Sequence, residues 1–396
     1  MSTETQLHQN GGIQRHIITP EYPPQSGGVS DYVVQLAEGL AQEGEDVHVW
    51  VPSDPKSAGS VAENGSGVHV HRDLGRVGPE DLKAVGKKLD RFPAPRRILL
   101  QWVPHGFGYR SMNLGLCFWL WKRARRGDRV EIMVHEAFLV FEGSWRQYFA
   151  ALVHRLMTVI LMGASERIWV SIPHWEKILR PYTLGRYLPF QWLPLPSNVP
   201  VAFEPRCIAS VRAKYCPPGG LLIGHFGTFG KIVNGQLKQL IPPILERNPA
   251  ASLLLIGPGA EFLDDLVRAY PKLAPRIHTT GSLAAKDPAL SYHISACDLF
   301  IQPYPDGASS RRTSLMAPLH HGKAVVTTVG PATEDIWFRS HAVVFSATGD
   351  TEGFVKAVGD LCAESSKRDD LANAAQRLVE DRFEIRHAVT TLRCAS

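Results

Sequence analysis

The sequence predicts an α/β protein built from two doubly wound, Rossmann-like domains. Short apolar runs alternate with amphipathic stretches along the chain, which is typical of parallel strands covered by helices on both faces. At 396 residues the chain is also too long for one ordinary hydrophobic core. A proline-rich segment, residues 188–205, interrupts the alternation. We therefore expect an N-terminal domain over 1–200, a C-terminal domain over 201–380, and a terminal helix over 381–396 that packs back on the N-terminal domain.

Five apolar runs predict the strands of the N-terminal domain. They are RHIIT (15–19), DVHVWV (46–51), RILLQWV (97–103), VEIMVH (130–135) and RIWVSI (167–172). Apolar residues at helical spacing between 29 and 40 predict a helix after the first strand, and longer helices are expected over 112–126 and 144–163.

Six further runs predict the strands of the C-terminal domain. They are LLIGHF (221–226), SLLLIG (252–257), RIHTTG (276–281), DLFIQPY (298–304), KAVVTT (323–328) and AVVFSA (342–347). Doubly wound sheets bind ligands at the carboxyl ends of their strands. We therefore expect the loops that follow the strands to hold the functional residues, with both domains facing one interdomain cleft.

Composition excludes several classes of protein. The net charge of +5 is mild, and no zinc-finger, RNP or heptad pattern occurs, so no nucleic-acid partner is expected. The six cysteines are scattered without a CxxC pair, which favours reduced thiols and a cytoplasmic protein. The polar N-terminus lacks the apolar core of a signal peptide, so none is expected.

Two apolar segments bear on membrane contact. The run 149–164 is interrupted by His154 and Arg155, so we expect no membrane span. The segment 114–129 sets aromatic residues against a basic cluster. Two interpretations stay open for it: peripheral contact with the inner face of a membrane, or a core-packed helix with a solvated basic end.

The segment 302–322, QPYPDGASSRRTSLMAPLHHG, is the most informative part of the chain. It joins an apolar strand to a helix, and such a turn directs backbone N–H groups and the positive end of the helix dipole at one point. Arg311 and Arg312 add donors in a geometry that fits phosphate. The alternative is a solvated basic turn.

Three other strand ends carry candidate residues. Gly28 precedes a helix, where its backbone can approach a phosphate, although glycine there is also common in plain turns. Lys231 is the only cation of the loop after the strand 221–226 and is either a phosphate contact or a surface lysine. His135 ends a strand and is either a hydrogen-bonding group of the site or a core histidine. No spacing of His, Cys and Asp predicts a metal site.

Several motifs together resemble glycosyltransferase family 4. They are PEYPPQSGGVSDYVVQLAEGLAQEGEDVHVWVP near the start, VHE, FGTFGK, IGPG, TTGSL and PYPDGASSRRTSLMAPLHHGKAVVTT, and they extend over nearly the whole chain. The resemblance implies a GT-B fold and a hexosyltransferase-like enzyme of polysaccharide biosynthesis that transfers a sugar from a nucleoside diphosphate donor with retention. It implies no metal and no other cofactor. The donor would bind mainly to the C-terminal domain, and a glycan, lipid-linked or small hydroxyl acceptor to the N-terminal one.

The resemblance also implies roles for particular residues. His135 and Asp306 would be catalytic. The donor diphosphate would contact Gly28, Lys231, Arg311, Arg312 and Thr313, while the sugar and nucleotide would contact Gly307, Ser309, Ser310, Ser282 and Leu283. Without a divalent cation, these cations and helix-end amides would stabilise the departing diphosphate.

The chain departs from the family in its acidic pair. The Glu-x7-Glu motif of typical members falls at Ser309 and Ala317, so both carboxylates are missing, and Asp306 is the candidate to replace the first. The usual Arg and Lys of the second domain fall at Thr228 and near Val233. Three hypotheses follow: an active, divergent transferase; a non-catalytic nucleotide-sugar or glycan-binding protein; or a GT-B enzyme of another type, such as an epimerase or a pseudoglycosidic coupling enzyme.

Overall fold

The computed structural model describes residues 13–25, 27–52, 62–64, 67–108 and 111–395. The chain divides into two compact units. Unit 1 comprises Met1–Pro194 with Ile385–Ser396, and unit 2 comprises Leu195–Glu384.

Within the described residues, unit 1 holds one eight-stranded sheet. Its strands are β1 (Gln14–Ile18), β2 (Asp46–Trp50), β3 (Ala62–Asn64), β4 (Val68–His71), β5 (Arg97–Trp102), β6 (Arg129–Val134), β7 (Arg167–Val170) and β8 (Phe190–Trp192). The order is β3-β4-β2-β1-β5-β6-β7-β8, and every neighbouring pair is parallel except β3 with β4. The five strands expected from the sequence are confirmed within one or two residues, and β3, β4 and β8 were not predicted.

Helices cover both faces of this sheet, as its apolar strands require. They are α1 (Gly28–Gln42), α2 (Pro79–Leu89), α3 (Leu114–Arg125), α4 (Trp145–Ala164) and α5 (Pro173–Leu179). One core cluster joins Ile18, Leu100 and Ile132 of the strands to Leu116 of α3 and Met157 of α4.

In the described part of unit 2, six strands form a second sheet. They are β9 (Leu221–Phe226), β10 (Ala251–Ile256), β11 (Ile277–Thr279), β12 (Leu299–Gln302), β13 (Ala324–Val329) and β14 (Val344–Ala347). The order is β11-β10-β9-β12-β13-β14, and all pairs are parallel. The six runs expected from the sequence are confirmed, with shorter bounds for β11, β12 and β14.

Unit 2 also carries helices on both faces. They are α6 (Pro205–Tyr215), α7 (Lys231–Arg247), α8 (Ala260–Ala269), α9 (Pro288–Ala296), α10 (Thr313–His320), α11 (Asp335–Ser340), α12 (Thr351–Ala363) and α13 (Ser365–Leu378). Its core joins Ile223, Leu253 and Ile301 of the strands to Leu237 of α7 and Phe354 of α12.

The last helix, α14 (Ile385–Cys394), lies in unit 1 and packs against α1. A Cβ at Gly39 would lie 2.8 Å from Val389 Cγ2, so glycine lets the two helices approach closely. Arg393 also forms an ion pair with Glu43 at the end of α1. The chain therefore returns from unit 2 to complete unit 1.

Each sheet has one point at which the direction of winding reverses. In unit 1 this point lies at β1, between β2 and β5, and in unit 2 at β9, between β10 and β12. Doubly wound sheets open a crevice for ligands outside the carboxyl ends of the strands at such points. The loops after β1 and β5 and those after β9 and β12 are therefore where binding residues are expected.

Candidate active site

The loops at the carboxyl edge of unit 2 contact one another. A Cβ at Gly257 would lie 2.1 Å from the carbonyl oxygen of Gly227, so the loops after β10 and β9 meet through bare backbone. Gly257 also forms a β-bridge with Gly281. Beyond Gly281, Ser282 is exposed and Leu283 is half-buried. The loop predicted to meet the nucleobase thus lies beside the loop after β10, which in turn contacts the glycine-rich loop after β9.

Gln302 fixes the start of α10 beside the end of β9. This side chain at the end of β12 is fully buried, and its Nε2 donates to the carbonyl oxygens of Phe226, at 3.0 Å, and Ser314, at 2.9 Å. Lys231, the exposed first residue of α7, follows the glycine-rich loop after β9. The end of β9, five residues before Lys231, therefore lies next to the start of α10.

Arg311 and Arg312 both bind the carboxylate of Asp306. Arg311 Nη2 lies 2.7 Å from Asp306 Oδ2, and Arg312 donates to the other oxygen. The Arg312 guanidinium also lies 4.9 Å from the centre of the Tyr304 ring, whose hydroxyl bonds Ser314 Oγ at 2.8 Å. We call Asp306, Arg311 and Arg312 the arginine clamp. Its three side chains are 34%, 23% and 27% exposed, so a solute can reach them.

The charges of the clamp favour an anion. Burial alone would raise the pKa of Asp306, but the neighbouring Arg312 and Arg311 outweigh it and hold this pKa below its usual range. The carboxylate is therefore ionised at neutral pH, and two guanidinium groups leave the clamp with net positive charge. Thr313, the first residue of α10, adds the positive end of a helix dipole.

The residues predicted to contact the sugar build the loop itself. Ser309 and Ser310 are fully buried, and Ser310 N donates to Glu334 Oε1 at 2.9 Å. Gly307 has φ +90°, and a Cβ there would lie 2.3 Å from Gly330 N. These contacts tie the loop after β12 to the loop after β13.

Glu334 is a structural residue that sequence reasoning missed. It is 6% exposed, burial raises its pKa, and hydrogen bonds from Ser310 and Trp337 oppose that rise. Its Oε2 accepts a bond of 2.6 Å from Trp337 Nε1. An acidic residue in a loop after a strand was the available signal, but nothing in the spacing paired it with Ser310.

Both positions of the expected acidic pair are enclosed. Ser309 and Ala317 are 0% exposed, and Ser309 Oγ has no hydrogen-bond partner within the described ranges. Asp306, the candidate replacement, is the carboxylate that the two arginines bind. Asp306 therefore acts as the counter-ion of Arg311 and Arg312.

His225 adds a hydrogen-bond acceptor that the sequence did not single out. Its Nδ1 lies 2.8 Å from the carbonyl oxygen of Ile301 and so carries the proton. Burial lowers the pKa of His225 to about 4, which keeps the ring neutral. Its Nε2 is then an acceptor without a partner among the described residues, and it lies 3.4 Å from where a Cβ of Gly227 would be.

In unit 1 a carboxylate covers the start of α1. Glu21 Oε1 accepts from the backbone N–H of Val29 and of Ser30, each at 3.0 Å. A Cβ at Gly27 would lie 2.2 Å from this oxygen, so Gly27 is needed for the approach, whereas nothing lies within 4 Å of a Cβ at Gly28. The sequence predicted that backbone amides at the start of α1 could bind a phosphate. In the structure two of them, those of Val29 and Ser30, already bind the Glu21 carboxylate, while the space around Gly28 is open.

His135 follows β6 and is 6% exposed. Its Nε2 lies 2.8 Å from Gln101 Oε1, and its ring meets Tyr32 edge-on at 5.3 Å. Burial lowers the pKa of His135 to about 3, so the imidazole is neutral. His135 is thus a neutral hydrogen-bonding group. Within the described ranges, no group of three His, Cys, Asp or Glu side chains is placed to hold a metal.

The comparisons with known proteins agree with this architecture. Residues 220–381, most of unit 2, match the family described as Glycosyl transferases group 1. No curated protein sequence matches the chain.

Solved structures match the chain over nearly its whole length. Sucrose-phosphate synthase from Thermosynechococcus elongatus is 16% identical with a TM-score of 0.73, and the match covers 97% of this chain and 98% of that one. HepE of Anabaena, in complex with UDP and glucose, is 15% identical with a TM-score of 0.66, covering 96% and 98%. A glycosyltransferase from Rickettsia africae is 11% identical with a TM-score of 0.69, covering 98% of both chains. At such identities the likeness establishes the fold. The chain therefore has the GT-B fold, and its residues 220–381, within unit 2, match the glycosyltransferases of group 1.

Proposed function

We propose that the protein transfers a sugar, with retention and without a metal, from a nucleoside diphosphate sugar to a hydroxyl acceptor, and that unit 2 binds the donor. The observation that carries this proposal is the arginine clamp beside the start of α10, at the winding reversal of the unit 2 sheet. The UDP and glucose bound to HepE make UDP-sugars the first donors to test.

In this proposal the diphosphate takes the place of the Asp306 carboxylate on Arg311 and Arg312. Each guanidinium group can bind two phosphate oxygens at once. The exposed Lys231 adds a further positive charge. The amides at the start of α10 bind the same phosphate oxygens. The loop of Ser282 and Leu283 then meets the nucleobase through its backbone.

The reaction exchanges one bond for another at the anomeric carbon. The bond from this carbon to the leaving phosphate oxygen breaks, and a bond to the acceptor oxygen forms on the same face of the sugar. The acceptor proton passes to a phosphate oxygen, so the products are a glycoside and a nucleoside diphosphate. The clamp stabilises the charge that develops on the leaving group. His135 and Gly28 of unit 1 are proposed contacts of the sugar and the diphosphate, as the resemblance implies.

The proposed acceptor is a glycan or a lipid-linked glycan intermediate, and the proposed location is the cytoplasm, with peripheral contact at the inner face of the membrane. These assignments rest on the resemblance to family 4 and on the composition of the chain. They predict that acceptor fractions rich in such glycans stimulate release of nucleoside diphosphate from the donor.

A binding protein without catalysis is the second candidate. Its support is that Ser309 and Ala317, the two positions at which the resemblance places the acidic pair, are enclosed and not acidic. Such a protein binds nucleotide sugars and releases no nucleoside diphosphate.

Release of free nucleoside diphosphate from UDP-, GDP- and ADP-sugars distinguishes the two candidates. We expect acceptor-dependent release from one donor, and a fall of at least about 100-fold in the variant Arg311→Ala/Arg312→Ala, because two contacts of charged groups with the leaving diphosphate are lost. The matched control, Arg339→Ala/Arg377→Ala, removes two exposed arginines elsewhere in unit 2. Binding of a donor without release under any acceptor supports the binding protein instead. Loss of release on chelation of metals contradicts the metal-independent mechanism.

A further inference from the structure

Three elements of unit 1 meet at the side chain of His135. His135 follows β6, Gln101 lies near the end of the neighbouring β5, and Tyr32 lies in the second turn of α1. Gln101 pairs with Met133 in the sheet, so its side chain and that of His135, two residues further on, leave the sheet on the same face. The side chains of Gln101, Tyr32 and His135 are all buried. The group therefore lies inside the fold, at the carboxyl edge of the unit 1 sheet.

The position of His135 is fixed by its backbone and by its ring. Its N–H donates to the carbonyl oxygen of Trp102 at 3.0 Å, and its own carbonyl oxygen accepts from Trp175 Nε1 at 3.1 Å. The ring meets Tyr32 edge-on, and its Nε2 lies 2.8 Å from Gln101 Oε1. Among the described residues, Gln101 is the one hydrogen-bond partner of the imidazole.

The bond to Gln101 decides which ring nitrogen carries the proton. An amide oxygen only accepts, so the proton lies on His135 Nε2 and is donated to Gln101 Oε1. Burial lowers the pKa of His135 to about 3, and no charged side chain in the described part of the chain contributes to this shift. The ring is therefore neutral near pH 7, and Nδ1 carries a lone pair.

His154 of the same unit shows the pairing of a histidine that serves the structure alone. Its Nε2 donates to the carbonyl oxygen of Ser111 at 2.8 Å, and its Nδ1 accepts from Leu139 N at 3.4 Å. Backbone groups thus occupy both of its nitrogens. His135 Nδ1 has no hydrogen-bond partner within the described ranges. His135 therefore differs from a core histidine in the nitrogen that Gln101 leaves open.

Two further polar atoms of the group have no partner among the residues that the structure describes. They are Gln101 Nε2 and Tyr32 Oη, and both are buried. Such atoms are rare in folded proteins, because an unpaired buried polar group is costly. A hydroxyl group suits this place, since it donates to an imidazole nitrogen and also accepts from an N–H or O–H. The group is therefore suited to bind a hydroxyl-bearing ligand.

We propose that Gln101 is a positioning residue that holds His135 as the Nε2–H tautomer, so that Nδ1 accepts a hydrogen bond from a hydroxyl of the transferred sugar. This inference rests on the proposed function, in which His135 contacts the sugar. Gln101 acts only through His135: it fixes the orientation of the ring and keeps the proton away from Nδ1.

Imidazole ¹⁵N NMR spectra of the full chain test the tautomer. The signals of His135 are identified by their loss in His135→Gln. We expect the proton on Nε2 and a neutral ring from about pH 8 down to about pH 5, since burial holds the pKa of His135 at about 3. A proton on Nδ1, or protonation of the ring near the ordinary pKa of about 6.5, overturns the proposal.

The variant Gln101→Glu tests the role of the bond in turnover. It keeps the shape of the side chain, and below the pKa of the new pair it adds one proton. The carboxyl group donates this proton to Nε2 or transfers it to the ring, and in both cases Nδ1 carries a hydrogen. We expect release of nucleoside diphosphate, relative to the parent chain, to be at least about tenfold lower at about pH 7 and to recover as the pH rises.

A loss that recovers with pH separates positioning from a merely structural role. The matched control, Gln191→Glu, makes the same exchange on β8, where Gln191 Oε1 accepts from Arg167 at 3.2 Å, and it should keep the pH dependence of the parent. An equal loss in Gln101→Glu at every pH, or unchanged release, overturns the proposal.

Two other outcomes are also decisive. If Gln101→Glu does not fold, the ¹⁵N spectra of Gln101→Met decide: loss of the single tautomer of His135 supports the proposal, and an unchanged tautomer overturns it. A parent chain that releases no nucleoside diphosphate from any donor contradicts the proposed function, whereas the spectra of the parent still decide the tautomer that Gln101 sets.

Discussion

Replacing Asp306 by Asn removes the internal counter-ion of the arginine clamp and leaves a side chain of similar shape. In the free protein, Asp306 binds both arginines that the donor diphosphate is proposed to contact. A diphosphate must therefore compete with this carboxylate. If the clamp binds the diphosphate, its affinity for nucleoside diphosphates should rise in Asp306→Asn.

The size of the effect follows from the geometry and the exposure. A pair of unit charges about 4 Å apart attracts by about 4 kcal/mol at an effective dielectric constant of 20. The clamp side chains are a quarter to a third exposed, so solvent screening reduces each pair to at most about 1 kcal/mol. Two pairs give on the order of 1–2 kcal/mol, or about 5–30-fold in the dissociation constant.

Isothermal titration calorimetry with UDP, GDP and ADP measures this change. The control variant, Asp265→Asn, removes a carboxylate from an exposed ion pair with Lys238 in the same unit and should leave the affinity unchanged. An unchanged or weaker affinity in Asp306→Asn would refute competition at the clamp. Tighter binding of the nucleoside diphosphate together with weaker binding of the intact sugar donor would assign Asp306 to the sugar.

Three further predictions concern stability. Glu21→Ala should lower the free energy of unfolding by about 1–2 kcal/mol, because two amides at the start of α1 lose their acceptor; in urea titrations the exposed Glu246→Gln should change little, and an equal effect of both would argue against the cap. Gly307→Ala should destabilise by at least about 2 kcal/mol more than Gly349→Ala, since both glycines have φ near +90° but only Gly307 has backbone where a Cβ would be; equal thermal shifts would contradict this. Burial holds the pKa of His16 at about 3, below the value of about 6.5 in the unfolded chain, so its contribution to stability is present above pH 6.5 and is lost as the pH falls. His16→Gln should therefore reduce the loss of stability between pH 7 and 5 by about 2 kcal/mol, and an unchanged pH dependence would count against a neutral His16.

The sheets could be predicted from the sequence because their strands are apolar on both faces. The run 221–226, for example, coincides with β9. A continuous apolar run of this length is typical of a parallel strand that helices cover on both faces of the sheet. Strand β4 was missed because it alternates Val with His, and histidine gives no apolar signal. In the fold His71 stacks on Trp50 at 4.0 Å and His69 stacks on His48 at 4.9 Å, so tertiary contacts supply what the local pattern lacks.

The position of the candidate site was predictable, whereas its internal pairing was not. A strand followed by glycine, serine and arginine before a helix indicates an anion site from local sequence alone. Glu334 accepts a hydrogen bond from Ser310, 24 residues away in the sequence. This contact forms because β12 and β13, which precede the two loops, are neighbours in the sheet. The approach of Glu21 to the start of α1 likewise depends on the path of the intervening loop. Spacing along the chain does not report such contacts.

Binding of a nucleoside diphosphate to the arginine clamp is the central claim. Its most direct measurement is the dissociation constant of UDP, or of whichever of GDP and ADP binds more tightly, for the parent chain, for Arg311→Ala/Arg312→Ala and for the control Arg339→Ala/Arg377→Ala. The account predicts at least about tenfold weaker binding in the first variant, because contacts of charged groups contribute about 1.5–3 kcal/mol each, and an unchanged constant in the control. Equal affinity of all three proteins would contradict it.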